Sequence, residues 1–108
     1  MRFKTASNVN MTAYRGEVQT TFSELCEIFG KPKYGPNNYD MDKVTCEWAL
    51  EAEDGTIITI YDWKTNRTPF QPYPWHIGGH TERAVDLVKD AITLHRDPFI
   101  TLMRTYER

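Results

Sequence analysis

An α+β fold, built as a small, mainly antiparallel sheet with two to three helices packed on one face, is what this chain predicts, and three observations carry that prediction. From Lys43 onward apolar and polar residues alternate with period two, an Asp-Gly turn follows, and a second β-branched and aromatic run begins at Thr56. Ahead of this pair, Phe22, Leu25, Ile28 and Phe29 recur at helical spacing. Behind it, Ala84, Val85, Val88, Ala91 and Ile92 repeat the same stripe. Strands and helices with one apolar face each bury it against the other.

Length and composition bound the rest. At 108 residues, with a formal charge of −2 and 40% hydrophobic residues, the chain supports one ordinary core and is too short for two. Residues 1–108 are therefore read as a single domain. Charges of both signs are mixed, so no sequence-wide basic field favours nucleic acid, and nucleic-acid binding is not expected. No segment approaches the roughly 20 apolar residues of a membrane span, and Met1-Arg2-Phe3-Lys4 leads into no signal-like apolar run. A soluble, cytosolic protein without a membrane partner is the expectation.

Each element has its own signal. Residues 2–19 carry short apolar and threonine-bearing segments broken at Ser7-Asn8 and Gly16, which predicts one or two strands joined by a turn. Thr21 and Glu24 match a capping box, so a short helix begins there, and Gly30 with Pro32 ends it near residue 29. Residues 33–42, rich in Gly, Pro, Asn and Tyr, read as a surface loop. In the alternating run Val44, Cys46, Trp48 and Leu50 share one face, with Thr45, Glu47 and Glu51 on the other. Glu53-Asp54-Gly55 supplies the turn, and the strand from Thr56 to Trp63 completes a hairpin. Three prolines make residues 64–74 a long ordered loop or edge. The stripe after Gly78-Gly79 predicts a helix starting at His80 or Thr81, and Asp97-Pro98 with Phe99, Leu102, Met103 and Tyr106 predicts a terminal helix over 97–108.

Catalytic and metal chemistry find little support. His76 and His80 are four apart, but Gly-Gly separates them and no intervening glutamate makes the zinc-binding helical pattern. His76 is better read as filling a strand position beside Trp75, and His80 as helping to cap the next helix. Asp54 reads as a turn former, Glu47 as a solvent-facing strand residue and Asp62 as either a strand-end carboxylate or the partner of Lys64 or an arginine. Cys26 and Cys46 read as buried small hydrophobes, since no paired Cys/His spacing is present. No metal, cofactor or catalytic residue is expected. If the chain were an enzyme, a hydrolase or nuclease using His76, His80 and Asp62 would be the form it takes.

A recognition surface is the better supported reading. Trp63, Tyr73, Trp75 and His76 offer rings, Arg67 and Arg83 offer forks for phosphate or carboxylate, and Gly78, Gly79 and His80 offer bare backbone beside a helix N-terminus that can receive an anion. Trp48 is the aromatic most readily explained as core.

The residues Phe29-Gly30-Lys31-Pro32, Lys43-Val44-Thr45-Cys46-Glu47-Trp48, Glu53-Asp54-Gly55-Thr56, Ile60-Tyr61-Asp62-Trp63-Lys64 and Trp75-His76-Ile77-Gly78-Gly79, taken in order, resemble a family of small tailed-bacteriophage accessory proteins. The resemblance covers roughly residues 20–90 and carries over no catalytic residue. It implies a phage-encoded, non-enzymatic binding protein in the host cytoplasm that counters a bacterial defence system. Such a protein would sequester a nucleotide-like immune signal or occlude a host defence protein, with the Trp63 to Arg83 region in contact. A structural or homo-oligomeric phage protein is the remaining alternative, docking subunits through Phe99, Leu102, Met103 and Tyr106.

Overall fold

The computed structural model describes residues 2–39 and 42–99, and in it the period-two run becomes the middle of a sheet. Trp48, Leu50 and Ala52 of β3 (Glu47–Ala52) lie on the same side as Ile58 and Ile60 of β4 (Ile57–Tyr61), and all five are buried. The hairpin closes as expected. Ala52 donates its N–H to Thr56 (2.9 Å), Gly55 donates to Ala52 (2.9 Å), and Gly55 takes the positive φ of 88° that glycine tolerates at no steric cost.

β3 opens at Glu47, later than the alternation from Lys43 predicts, and the cause is a side chain. The Asp62 carboxylate accepts the N–H groups of Thr45 (2.7 Å) and Cys46 (3.1 Å), so these amides leave the strand ladder for a buried acceptor. Thr45, expected on the solvent face, is buried with its hydroxyl on the same carboxylate.

β1 (Phe3–Thr5), β2 (Ala13–Thr20) and β5 (Tyr73–Gly79) complete a five-stranded, wholly antiparallel sheet in the order β1-β3-β4-β5-β2. The segment 2–19 thus supplies two strands, placed on opposite edges. The break at Gly16 is a register slip between Tyr14 and Gly16, and Gly16 lies against Val85, whose Cγ2 would stand 3.2 Å from an added Cβ. Tyr73 and Pro74, assigned to the loop from sequence, already belong to β5. Pro74 pairs with Gln19 beyond the last β4 partner, Tyr61 opposite His76, so the strand has one neighbour there and tolerates proline.

The helices follow their caps. α1 (Phe22–Phe29) begins with the Glu24 N–H donating to the Thr21 hydroxyl (3.1 Å) and ends with Gly30 at φ 83°, its N–H on the Cys26 carbonyl (2.9 Å). The Glu24 carboxylate does not close the capping box. It turns instead to Thr20, His95 and Arg96. α2 (Arg83–Arg96) starts later than His80 or Thr81, because β5 runs through Gly79 and the chain must turn before the helix. Both helices add to the core on one face of the sheet, where Leu25, Val85, Leu87, Val88 and Ile92 meet Trp48, Trp75 and Ile77. α1 and α2 are the two complete helices among the described residues. Pro98 and Phe99 are helical, with the Phe99 N–H donated to Asp97 Oδ1 (3.1 Å) as the expected cap requires, and the rest of the expected terminal helix, with Leu102, Met103 and Tyr106, lies outside the described residues. No described helix is long and apolar enough to cross a membrane.

Candidate binding face

Strand alternation decides which residues face away from the helices. Ile58, Ile60, Trp75 and Ile77 point into the core, so Thr59, Tyr61, His76 and Gly78 between them point to the opposite, helix-free side. Register then brings Tyr61 opposite His76, and Tyr14 of β2 opposite Gly78. His76 becomes the hub of a ring cluster, with its centroid 5.0 Å from Tyr14, 5.5 Å from Tyr61 and 6.2 Å from Trp63. Together the four line an open depression of about 270 Å³. Trp63 is 41% exposed and Tyr14 53%, so ring surface is available to a ligand.

Trp63 is held from both sides of the chain. Its N–H donates to the Tyr73 hydroxyl (3.1 Å), and that hydroxyl donates to the Trp63 carbonyl (3.3 Å). Directly before it, Asp62 is fully buried and accepts from Thr45, Cys46 and the Thr65 hydroxyl. Directly after it, Lys64 adopts φ 56° and donates its N–H to the Lys43 carbonyl (2.7 Å). The side chains of these two lysines flank the indole, with Nζ atoms 5.8 Å (Lys43) and 6.0 Å (Lys64) from its centroid. On the other flank His76 Nε2 is 3.3 Å from Glu17 Oε2. Burial pushes the Tyr61 phenol above its ordinary pKa, with Glu47 and Tyr14 adding to the shift, so it remains a neutral hydroxyl at physiological pH.

Of the residues singled out from sequence, Trp63, Tyr73 and His76 come together here. Trp75 does not. It is buried edge-on against Trp48 (5.6 Å) and Tyr73 (5.5 Å), because its strand parity points to the helices. The glycine pair requires a correction. Gly78 and Gly79 lie inside β5, paired with β2 on one side and β4 on the other, so their backbone serves the sheet and not an anion at a helix N-terminus. Their lack of Cβ has a packing cause. A Cβ on Gly78 would run into Thr59 Oγ1, and one on Gly79 would come within 2.6 Å of Ala84 Cβ. His80 does not cap α2 with its ring, which lies 3.0 Å from the Asn10 carbonyl. Arg83 pairs with Asp54 (2.7 Å) at the hairpin turn, the opposite end of β4 from Trp63. Arg67 stands exposed on the loop and joins none of these contacts.

The hydrolytic trio does not assemble either. Asp62 is committed to Thr45, Cys46 and Thr65, His76 to Glu17 and His80 to Asn10. Among the described residues no group of three or more His, Cys, Asp or Glu could hold a metal ion. Cys26 and Cys46 are free, and burial pushes the Cys46 thiol up to about 12, far from a reactive thiolate.

Tyr14, Tyr61, Lys43 and Lys64 escaped the sequence reading. Tyr61 and Trp63 carried a usable signal, since both have the parity opposite to the apolar Ile58 and Ile60. Tyr14 carried none, because its face is set by the bulge that follows it. No protein-family model matches the chain, and no curated protein or solved structure shows a significant match to it.

Proposed function

We propose that this is a non-enzymatic binding protein that holds a nucleotide-like small molecule, a flat ring bearing an anionic group, on its helix-free face around Trp63. One observation carries the reading: a half-exposed indole, anchored by Tyr73, borders a depression walled by Tyr14, Tyr61 and His76, with two ammonium groups beside it. A π-face accepts any base by stacking, and lysines act as point charges for phosphate. The rings already pack on one another, so little side-chain entropy is lost on binding.

The resemblance to small phage accessory proteins gives the setting: the infected cell, where removing a nucleotide-like immune signal would silence a defence system. Occlusion of a host defence protein is the other role the resemblance implies. A concave, ring-lined site favours the small ligand, since a stable protein partner would need on the order of 800 Å² of contact on each side. Isothermal titration of the full chain against cyclic nucleotides and ADP-ribose derivatives tests the proposal. Binding that Trp63→Ala weakens at least fivefold, the lower end for one lost stacking partner, is the expected result. Titrations silent across the panel overturn it.

A further inference from the structure

The chain is acidic overall, yet its two long loops are not. Residues 31–45 and 62–72 carry Lys31, Lys33, Lys43, Lys64 and Arg67, all exposed, against Asp40, Asp42 and Asp62. Of those three acids Asp62 is buried and saturated with hydrogen bonds. The excess of cationic side chains on these loops leaves the rest of a −2 chain still more acidic.

The fold fastens these loops to each other. Asn37 and Thr68 exchange two hydrogen bonds, each 2.7 Å, in which the backbone N–H of one donates to the side chain of the other. The Thr45 and Thr68 hydroxyls are 2.8 Å apart, and Lys64 donates its N–H to Lys43. Basic residues distant in sequence are thereby brought near one another beside the opening of β3 and the end of β4. Exposed rings are collected with them. Tyr34 (39%), Tyr39 (69%) and Trp63 (41%) stand on these loops, as does Phe70 (55%), which packs edge-on against Phe22 of α1 (5.0 Å) on the helix side. Lysines already sit by two of the rings, Lys33 at 5.6 Å from the Tyr34 centroid and Lys43 and Lys64 beside Trp63.

We infer that the joined loops form a landing surface for single-stranded nucleic acid. Cations interleaved with exposed rings are what an unpaired strand uses: phosphates take the lysines, and splayed bases take the rings. A duplex keeps its bases stacked on one another and would meet only the cations. The acidic remainder of the molecule directs a polyanion to these loops. This function goes beyond the small-ligand reading, with which it shares Trp63, Lys43 and Lys64, because Tyr34, Tyr39 and Lys33 lie outside the ring-lined depression.

Fluorescence anisotropy of the full chain with a labelled oligothymidylate of about a dozen nucleotides at low salt tests it. Saturable binding is expected, tighter than to a duplex of equal length and weakened about tenfold or more between 50 and 200 mM salt. Tyr34→Ala with Tyr39→Ala should weaken it at least fivefold, as should Lys33→Glu with Lys64→Glu, in variants whose circular dichroism is unchanged. No binding at low salt, equal binding of duplex or of polyglutamate, or indifference to both double variants overturns the inference. The two readings fail separately. Tyr34→Ala with Tyr39→Ala leaves mononucleotide titrations as they were, and His76→Ala weakens those titrations more than it weakens strand binding.

Discussion

Trp63 and His76 stand at either side of the proline-rich loop, yet their rings lie within 22° of parallel with centroids 6.2 Å apart. His76 is fixed by the ladder between Tyr61 and Glu17, whereas Trp63 follows the end of β4 and would be free to swing. The Tyr73 hydroxyl, which meets both the N–H and the carbonyl of Trp63 from the first residue of β5, restrains it together with the anchors at Asp62 and Lys64 on either side.

Tyr73→Phe should therefore separate binding from folding. The ring contact with Trp75 at 5.5 Å remains, so stability falls by only about 1 kcal/mol for the lost hydrogen bonds. Ligand affinity should fall more than this, because the indole must be ordered again on binding. Urea unfolding and isothermal titration of the same variant check it, and an affinity unchanged within error would show that Tyr73 has no part in preparing the site.

Gly78 separates a packing role from a ligand-receiving one. Gly78→Ala places a methyl group against Thr59 Oγ1 in the middle of two ladders and should destabilise the protein by about 1–3 kcal/mol. Adding Thr59→Ala removes the obstructing atom and should recover part of that loss. Unfolding midpoints of the two single variants and the double variant give the coupling. Strict additivity would mean that the glycine serves something other than clearance for Thr59.

Where local sequence pattern and fold part company, particular residues are the cause. Strand and helix periods were local signals, so β3, β4, α1 and α2 were visible, as were the Gly30 and Gly55 termini. Boundaries moved where a distant group intervened. Asp62 took the Thr45 and Cys46 amides from the ladder, and pairing with β2 and β4 kept Gly78-Gly79 in strand. Trp63 and His76 were identifiable as exposed candidates, but Tyr14 joins them only through strand register, which no local pattern encodes. The basic loop pair was equally hidden, since its charges are dispersed in sequence and gathered by the Asn37 and Thr68 exchange.

Asp62 makes a graded prediction. Asp62→Ala strands the Thr45 and Cys46 N–H groups in a buried site and should cost about 3–5 kcal/mol. Asp62→Asn keeps one acceptor oxygen for those amides and should cost clearly less. Chemical unfolding ranks the pair. An equal cost for both would place the stabilisation in the carboxylate charge and not in the amide hydrogen bonds.

Acid should loosen the junction of α1 and α2 through Glu24. Its carboxylate accepts from Arg96 (2.7 Å), from the Thr20 hydroxyl and from His95 Nδ1 (3.0 Å), and His95 Nε2 continues to Glu27 (2.9 Å). The Arg96 hydrogen bond is the largest cause holding the Glu24 carboxyl at about 2, below its ordinary 4.5, with Thr20 and His95 adding to it against the cost of burial. A carboxyl depressed in the folded state stabilises fully above its unfolded pKa, so this contribution is complete above pH 4.5 and is lost as pH falls toward about 2. Glu24→Gln should lower the thermal midpoint at pH 7, by an amount corresponding to about 1–2 kcal/mol after solvent screening, and should flatten the fall between pH 4.5 and 2. Arg96→Ala should flatten the same limb from the other partner. Thermal midpoints of the three proteins across that range check it, and parallel curves for all three would place the acid-sensitive group elsewhere, with Asp54, held at about 2 chiefly by the Thr56 hydrogen bonds, the next to test.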